Sequence, residues 1–160
     1  MPITRTPMVD DDGSGTTGTI INNAWKTEFY NQIDAALAPA WQTFPYSAGN
    51  FTVNPAAGNA WTVTAGNVIS NSYVVMGKVL FWVLGLQGTT LTGAPTSLRV
   101  TMPGFTIGQT TRNVYQAGNV FSIWTATAGN NYVDFFATIT GNPWAAGTIL
   151  LYSTMFIPIP

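Results

Sequence analysis

The spacing of hydrophobic residues changes once along the chain, and this change separates one helix from a long β-region. Between about Asn22 and Leu37 apolar residues recur every four positions, which places them on one face of an α-helix. An Asn at the start can accept hydrogen bonds from the free amides of the first turn, and Pro39 ends the helix. The apolar stripe of this predicted amphipathic helix consists of Ile21, Trp25, Phe29, Ile33 and Leu37.

From Trp41 onward the pattern is typical of short antiparallel strands. Gly-Asn pairs occur at 49–50, 58–59, 66–67, 118–119, 129–130 and 141–142. Both residues tolerate positive φ, so we expect these pairs to form tight turns between strands. The apolar, β-branched runs between them predict strands at 61–64, 68–76, 78–86, 97–102, 110–115, 120–126, 132–140 and 148–157. Eight or more short strands predict an all-β, antiparallel β-sandwich.

The distribution of charge divides the chain at the same place. Residues 1–38 contain five of the six acids and two of the five bases. Pro2 and Pro7 oppose a helix near the start, so residues 1–18 are predicted to form an extended arm. The predicted organisation is therefore an N-terminal arm with an anchoring helix over 1–38 and a β-sandwich domain over 39–160.

Two predicted strands are apolar at every position rather than at alternate ones. The runs Tyr73–Met76 and Val79–Leu84 would bury both faces, although a strand in a two-sheet sandwich normally shows one face to water. Only 7% of residues are charged, and charge depletion is typical of interface cores. We therefore expect a neighbouring subunit or the N-terminal segment to cover the second face. The predicted oligomer interface comprises Tyr73, Val75, Phe81 and Trp82.

The N-terminal segment is predicted to attach the protein to something else. A helix of this length is marginal in water and needs a surface on which to pack its stripe. That surface is the β-domain of the same chain, the same helix of sister subunits, or a partner protein. The acidic run ahead of it is predicted to be a solvated turn or a negative patch for a basic partner. The predicted anchor comprises Asp10, Asp11, Asp12, Ile21, Trp25, Phe29, Ile33 and Leu37.

The residue types that most enzymes and metal sites require are missing. The chain has neither His nor Cys, so it cannot form a Ser-His-Asp or Cys-His nucleophile or a zinc site. Asp134 is the single acid of the β-region and has no second carboxylate for acid–base catalysis. The spacing of Asp10–Asp12 and Glu28 does not match a calcium-binding EF-hand loop. We expect no catalytic residue, no metal and no cofactor.

Charge and hydropathy also restrict the partners. The five bases are scattered and form no basic patch, so no nucleic-acid partner is expected. The longest apolar run, Val79–Leu86, is far shorter than the ~20 residues of a membrane helix, so no membrane insertion is expected. The N-terminus does not resemble a signal peptide, which predicts synthesis in a cytoplasm. Among the many aromatic residues, Trp144 is the best candidate for an exposed glycan contact, although packing in a core is favoured.

Two segments resemble structural proteins of tailed bacteriophages. Residues 16–26, TTGTIINNAWK, resemble the N-terminal segment of many such proteins. Residues 41–104 contain an opening Trp41, then Asn-Ser-Tyr, then Gly-Lys-Val-Leu-Phe, and later Leu-Arg-Val-Thr-Met-Pro, which resembles the C-terminal sandwich of phage fibre and receptor-binding proteins. Met102 stands where that pattern usually has Leu, and no long shaft separates the helix from the sandwich.

The resemblance implies a homotrimeric virion component with a jelly-roll-like domain. Such a protein would lie on the virion surface after synthesis in the host cytoplasm, and would contact the major capsid or tail proteins. Capsid decoration, a head fibre and a short tail fibre all fit a chain of 160 residues. The alternative from a different class is a receptor-binding adhesin that recognises a host-surface glycan.

Overall fold

A computed structural model describes residues 23–37, 39–117 and 120–160 of the chain. Two compact units are distinguished, one over Met1–Ala40 and one over Trp41–Pro160. In the first unit, helix α1 spans Asn23–Leu37, so the predicted helix begins within one residue of its expected start. Among the described residues, no helix is both long and apolar enough to cross a bilayer.

The second unit is an antiparallel β-sandwich, which confirms the predicted fold class. Its strands are β1 Gln42–Thr43, β2 Phe51–Asn54, β3 Ala60–Thr62, β4 Val68–Met76, β5 Val79–Thr92, β6 Ser97–Thr101, β7 Thr111–Ala117, β8 Val120–Ala126, β9 Tyr132–Phe136 and β10 Gly147–Pro158. The first sheet has the order β1-β4-β5-β10, and β3 pairs with the far end of β5. The second sheet has the order β2-β6-β9-β8-β7.

The core lies between the two sheets and is formed by alternate residues of each strand. In β10, the odd positions from Ile149 to Ile157 are buried and the even positions from Thr148 to Phe156 are exposed. The largest fully buried side chains are Trp82, Trp124 and Phe135. Burying each large apolar side chain contributes about 1.5–3 kcal/mol to folding, so this layer is the main source of stability.

Three buried tryptophans reach into this core, and each donates its indole N–H to an oxygen. Trp82 donates to Oδ1 of Asn71 at 2.8 Å, and Trp61 donates to Oγ1 of Thr89 at 2.9 Å. Trp144 donates to the carbonyl oxygen of Phe135 at 2.9 Å. A buried indole needs such a partner because an unsatisfied N–H in an apolar core is costly.

The Gly-Asn pairs form several kinds of turn. Gly129, with φ of 84°, lies in the connection between β8 and β9, as predicted for a hairpin. The pairs at 49–50 and 66–67 lie in short 3₁₀ turns that lead into β2 and β4. Gly77, with φ of 60°, and Lys78 form the tight turn between β4 and β5, which contains no Gly-Asn pair.

Candidate interaction surface

The outer side of the first sheet is apolar in the part formed by β1, β4, β5 and β10. Along β5 the residues alternate, so Trp82 lies in the core while its neighbour Phe81 lies on the opposite, outer side. Phe81 is opposite Val74 of β4 and Phe156 of β10 in the register of the sheet. We define the apolar outer face as the apolar residues of this side, which are Trp41, Val74, Met76, Val79, Phe81, Val83, Tyr152 and Phe156; Val74 is 6% exposed, and the uncharged polar residues Ser72 and Thr154 lie beside them.

Three aromatic rings form a row across this face. The ring of Trp41 meets that of Phe81 edge to face, with centroids 5.7 Å apart, and Phe81 meets Phe156 in the same way at 4.5 Å. Edge-to-face pairs of this kind contribute about 0.5–1.5 kcal/mol beyond the area they bury. Even so, Trp41 and Phe156 remain 55% and 53% exposed. The row is therefore ordered by internal contacts; its two end rings are open to solvent, whereas Phe81 between them is half-buried.

A glycine allows the next position on this face to be covered by Tyr152. A Cβ atom added to Gly85 would lie 2.9 Å from the Tyr152 ring and 2.6 Å from Oγ of Ser70. No side chain other than hydrogen fits there, so the Tyr152 ring lies close against the backbone of β5. The Tyr152 hydroxyl reaches Oε1 of Gln87 at 3.4 Å, at the end of the face. The apolar surface thus continues beyond Phe81, where the Tyr152 ring lies close to the backbone of β5.

The outer side of the second sheet has a different chemistry. Arg99 donates from Nε and Nη2 to the two carboxylate oxygens of Asp134, at 2.9 and 3.1 Å, and its guanidinium lies 3.7 Å from the centre of the Tyr132 ring. Nearby, Nε of Arg112 donates to Oγ1 of Thr125 at 3.2 Å. This side also has apolar positions, among them Val114, but three of the four charged residues of the β-domain lie on it.

The Arg99–Asp134 pair is a structural ion pair in its present geometry. Partial burial lowers the pKa of Arg99, but the hydrogen bonds and the negative charge of Asp134 outweigh that effect and raise the pKa overall. Oδ1 of Asp134 also accepts a hydrogen bond from Ser97 at 3.1 Å. Both carboxylate oxygens are therefore engaged within the sheet, which leaves Asp134 poorly placed to act as a base. Within the part of the chain that is described, no three potential metal ligands are grouped together.

The residues predicted to form the oligomer interface lie on both sides of the first sheet. Trp82 is 0% exposed and belongs to the core of its own sandwich, so its assignment to an interface is wrong. Tyr73 and Val75 also pack against the core and are half-buried. Phe81 alone of the four residues lies on the outer side. Because side chains alternate along a strand, half of an all-apolar run must belong to the core, and the sequence pattern did not show which half.

Trp144 is buried rather than available to a ligand. It is 8% exposed, and its backbone N–H donates to the carbonyl oxygen of Pro95 at 2.9 Å. With its indole N–H bound to Phe135, the side chain serves to close one end of the core. The structure corrects the expectation that Trp144 is a candidate glycan contact. A position in a Gly- and Pro-containing loop predicts exposure of the backbone, but not of a large apolar side chain.

The predicted anchor is described only in part. Asp10, Asp11, Asp12 and Ile21 lie outside the described residues, as do the side chains of Trp25 and Leu37 in α1. Of the remaining two, Phe29 is exposed and Ile33 is half-buried. The role of this segment therefore stays a prediction.

Three residues of the apolar outer face, Trp41, Tyr152 and Phe156, were not identified from the sequence as surface residues. In β10 the run from Ile149 to Ile157 is apolar or small at nearly every position, like the two runs that drew attention to β4 and β5. The apolar run in β10 was therefore the sequence feature that could have identified Phe156 as a residue of the outer side. Trp41 comes just before β1, which has only two residues and gives no periodic pattern.

No family model matches the sequence, and neither the curated proteins nor the solved structures include a significantly similar chain. The function is therefore inferred from the residues of the chain itself.

Proposed function

We propose that this protein is a non-enzymatic structural component of a tailed-bacteriophage virion. It acts as a homotrimer on the particle surface, as a capsid decoration, head-fibre or short tail-fibre protein, and attaches to capsid or tail proteins through its N-terminal segment. The observation that carries the proposal is the contrast between the two outer sides of the sandwich. One presents an aromatic row whose end rings, Trp41 and Phe156, are exposed, and the other presents the charged residues Arg99, Arg112 and Asp134.

A monomer in solution gains nothing from such a contrast. Each Å² of apolar surface removed from water is worth about 25 cal/mol, so an open aromatic row favours association. Soluble monomers rarely expose large contiguous apolar patches, and those that exist usually mark an interaction site. The apolar outer face thus supports a role as a subunit of a larger assembly.

The sequence supports the assignment of that assembly to a virion. Residues 16–26 resemble the segment that leads into an amphipathic helix in tailed-phage structural proteins, and here α1 begins within that segment and spans Asn23–Leu37. The segment around Gly77–Phe81, which resembles the sandwich of phage fibre proteins, includes the centre of the aromatic row.

A glycan-binding adhesin is the weaker alternative. Trp144, its candidate contact residue, lies in the core. Among the exposed rings, Trp41 packs against Phe81 in a surface that is largely apolar, whereas a sugar site needs hydrogen-bonding groups beside the stacking ring.

Quantitative mass spectrometry of purified particles tests the proposed function. The chain should be present in a copy number divisible by three, with hundreds of copies for a capsid decoration protein and about a dozen for a vertex or tail fibre. Particles assembled without the protein, to which purified protein is added back, should recover the same copy number. Absence of the chain from purified particles would contradict the proposal.

A further inference from the structure

We propose that the apolar outer face is the surface through which copies of this chain contact one another, with the same face of each copy turned toward the others. This inference rests on the homo-oligomer of the proposed function and identifies its contact surface. Phe81, Phe156 and Trp41 would lie at the centre of the contact, and the charged outer side of the second sheet would face away from it.

The composition of the face favours a permanent contact between identical chains. None of its eight residues is charged, and Lys78, in the turn between β4 and β5, is the nearest charged residue along these strands. Interfaces between partners that also exist separately are about as polar as the rest of a protein surface. Permanent homomeric interfaces are more apolar and resemble a core cut in half.

The surface that best matches this face, among the described residues of the β-domain, is the same face of another copy. The other outer side carries Arg99, Asp134 and Arg112, and burying charged groups against an apolar surface removes their hydration without replacing it. Two copies of the apolar outer face bring uncharged surfaces together.

The size of the face is close to that of the smallest specific contacts. Three long strands and the short β1, spaced about 4.8 Å apart, extend over about nine residues of ~3.4 Å each. Because β1 has only two residues, the flat footprint is roughly 450–500 Å² per copy, or about 900–1,000 Å² for two faces in contact. This estimate lies close to the threshold of ~1,000 Å² above which a contact is normally specific.

A matched pair of lysine substitutions tests the inference on the full-length chain. Phe156→Lys introduces a charge into the apolar outer face, and Val114→Lys introduces one on the outer side of the second sheet at a position that is similarly open, 51% exposed against 53% for Phe156. Multi-angle light scattering should show that Phe156→Lys lowers the molar mass to that of one chain, whereas Val114→Lys retains the mass of the oligomer. Circular dichroism checks that both variants keep the β-sandwich.

Cysteine cross-linking provides a second measurement that does not depend on breaking the contact. The wild-type chain has no Cys, so a single introduced thiol reports on one position. Thr154 is exposed beside the aromatic row and pairs with Val83, whereas Thr52 is exposed on the other outer side, opposite Arg99. A short bis-maleimide should join two chains of the Thr154→Cys variant and leave the Thr52→Cys variant as single chains.

The outcomes separate this inference from the proposed function. If the wild type is an oligomer but Phe156→Lys keeps its mass and Thr154→Cys does not cross-link, the contact lies elsewhere and the inference is wrong. If the wild type is a monomer whose Phe156→Lys variant fails to enter particles, the face binds a different virion protein and the inference is again wrong. If the oligomer forms through this face but the chain is absent from particles, the inference holds and the proposed function fails.

Discussion

The indole nitrogen of Trp82 donates a hydrogen bond of 2.8 Å to Oδ1 of Asn71 on the core side of the first sheet, and the adjacent residue Phe81 lies on the outer side of the same sheet. Nδ2 of Asn71 in turn donates to the carbonyl oxygen of Phe44 at 3.3 Å, and the backbone N–H of Phe44 donates to the carbonyl of Asn71 at 2.9 Å. These buried bonds join β4, β5 and the segment after β1. They fix the inner side of the sheet whose outer side is the candidate interaction surface.

Replacing Asn71 with Ala should destabilise the sandwich by about 2–3 kcal/mol, because the buried N–H of Trp82 loses its acceptor. Urea unfolding followed by tryptophan fluorescence measures the change. Asn131→Ala, at an exposed position, is the control and should change stability by less than about 0.5 kcal/mol. Equal effects of the two substitutions would show that the Trp82–Asn71 bond does not stabilise the sheet.

Stability should fall at alkaline pH because of Tyr115. Its hydroxyl is buried, and burial raises the pKa of Tyr115 above the usual value of about 10, although the neighbouring Ser122 hydroxyl lowers it in part. The folded state therefore holds the phenol proton more tightly than the unfolded state. The contribution of Tyr115 is fully present below about pH 10 and is lost above it, by up to ~1.4 kcal/mol per pH unit.

The substitution Tyr115→Phe isolates this effect. The variant should be as stable as the wild type or slightly more stable at pH 7, and it should lose less stability between about pH 10 and pH 11. Guanidinium unfolding of both proteins at several pH values measures the difference. Parallel losses of stability in the two proteins would exclude Tyr115 as the titrating group.

Trp144 should behave as a core residue. Trp144→Ala removes a buried indole and should destabilise the domain by about 3–5 kcal/mol. Trp144→Phe keeps an apolar ring but leaves the carbonyl of Phe135 without its donor, so we expect a smaller loss of about 1–2 kcal/mol. Thermal unfolding ranks the two variants. Unchanged stability of the Trp144→Ala protein would indicate that the Trp144 side chain is exposed and would favour the glycan-binding alternative.

Removing residues 1–38 should leave a folded β-domain that no longer enters particles. The β-domain has its own core, and the predicted anchor residues lie in the part removed. Trp25→Ala in the full chain should weaken incorporation and preserve the β-rich circular dichroism spectrum. The assay measures binding of both proteins to particles that lack the native copy. Full occupancy by the truncated protein would place the attachment site in the β-domain.

Most strands could be predicted from the sequence because their apolar runs are long. The prediction for 68–76 coincides with β4, and that for 120–126 coincides with β8. The strand β1 was missed because two residues cannot show a period, and β2 was missed because its apolar–polar alternation covers only four residues. The strand β9, by contrast, is shorter than predicted. It ends at Phe136 rather than at residue 140, because the turn at Gly141 begins at Thr138.

The sequence predicted that one side of a sheet carries an apolar surface, but it did not predict which residues form that surface. Apolar runs on both faces of β4 and β5 indicated that the outer side of a sheet needs a cover, and the structure places Phe81 there. The pairing of Phe81 with Trp41 and Phe156 depends on strand order, which joins residues that are 40 and 75 positions away in the sequence. No local pattern contains that information, so Trp82 was assigned to the surface in place of Phe156.

The molar mass of the wild-type chain in solution tests the central claim most directly. Multi-angle light scattering should give three times the 17.1 kDa of one chain, and this mass should persist on dilution to micromolar concentration. A permanent apolar contact predicts such persistence because its separation would return the aromatic row to water. A well-folded, soluble species of 17.1 kDa at micromolar concentration would contradict the account.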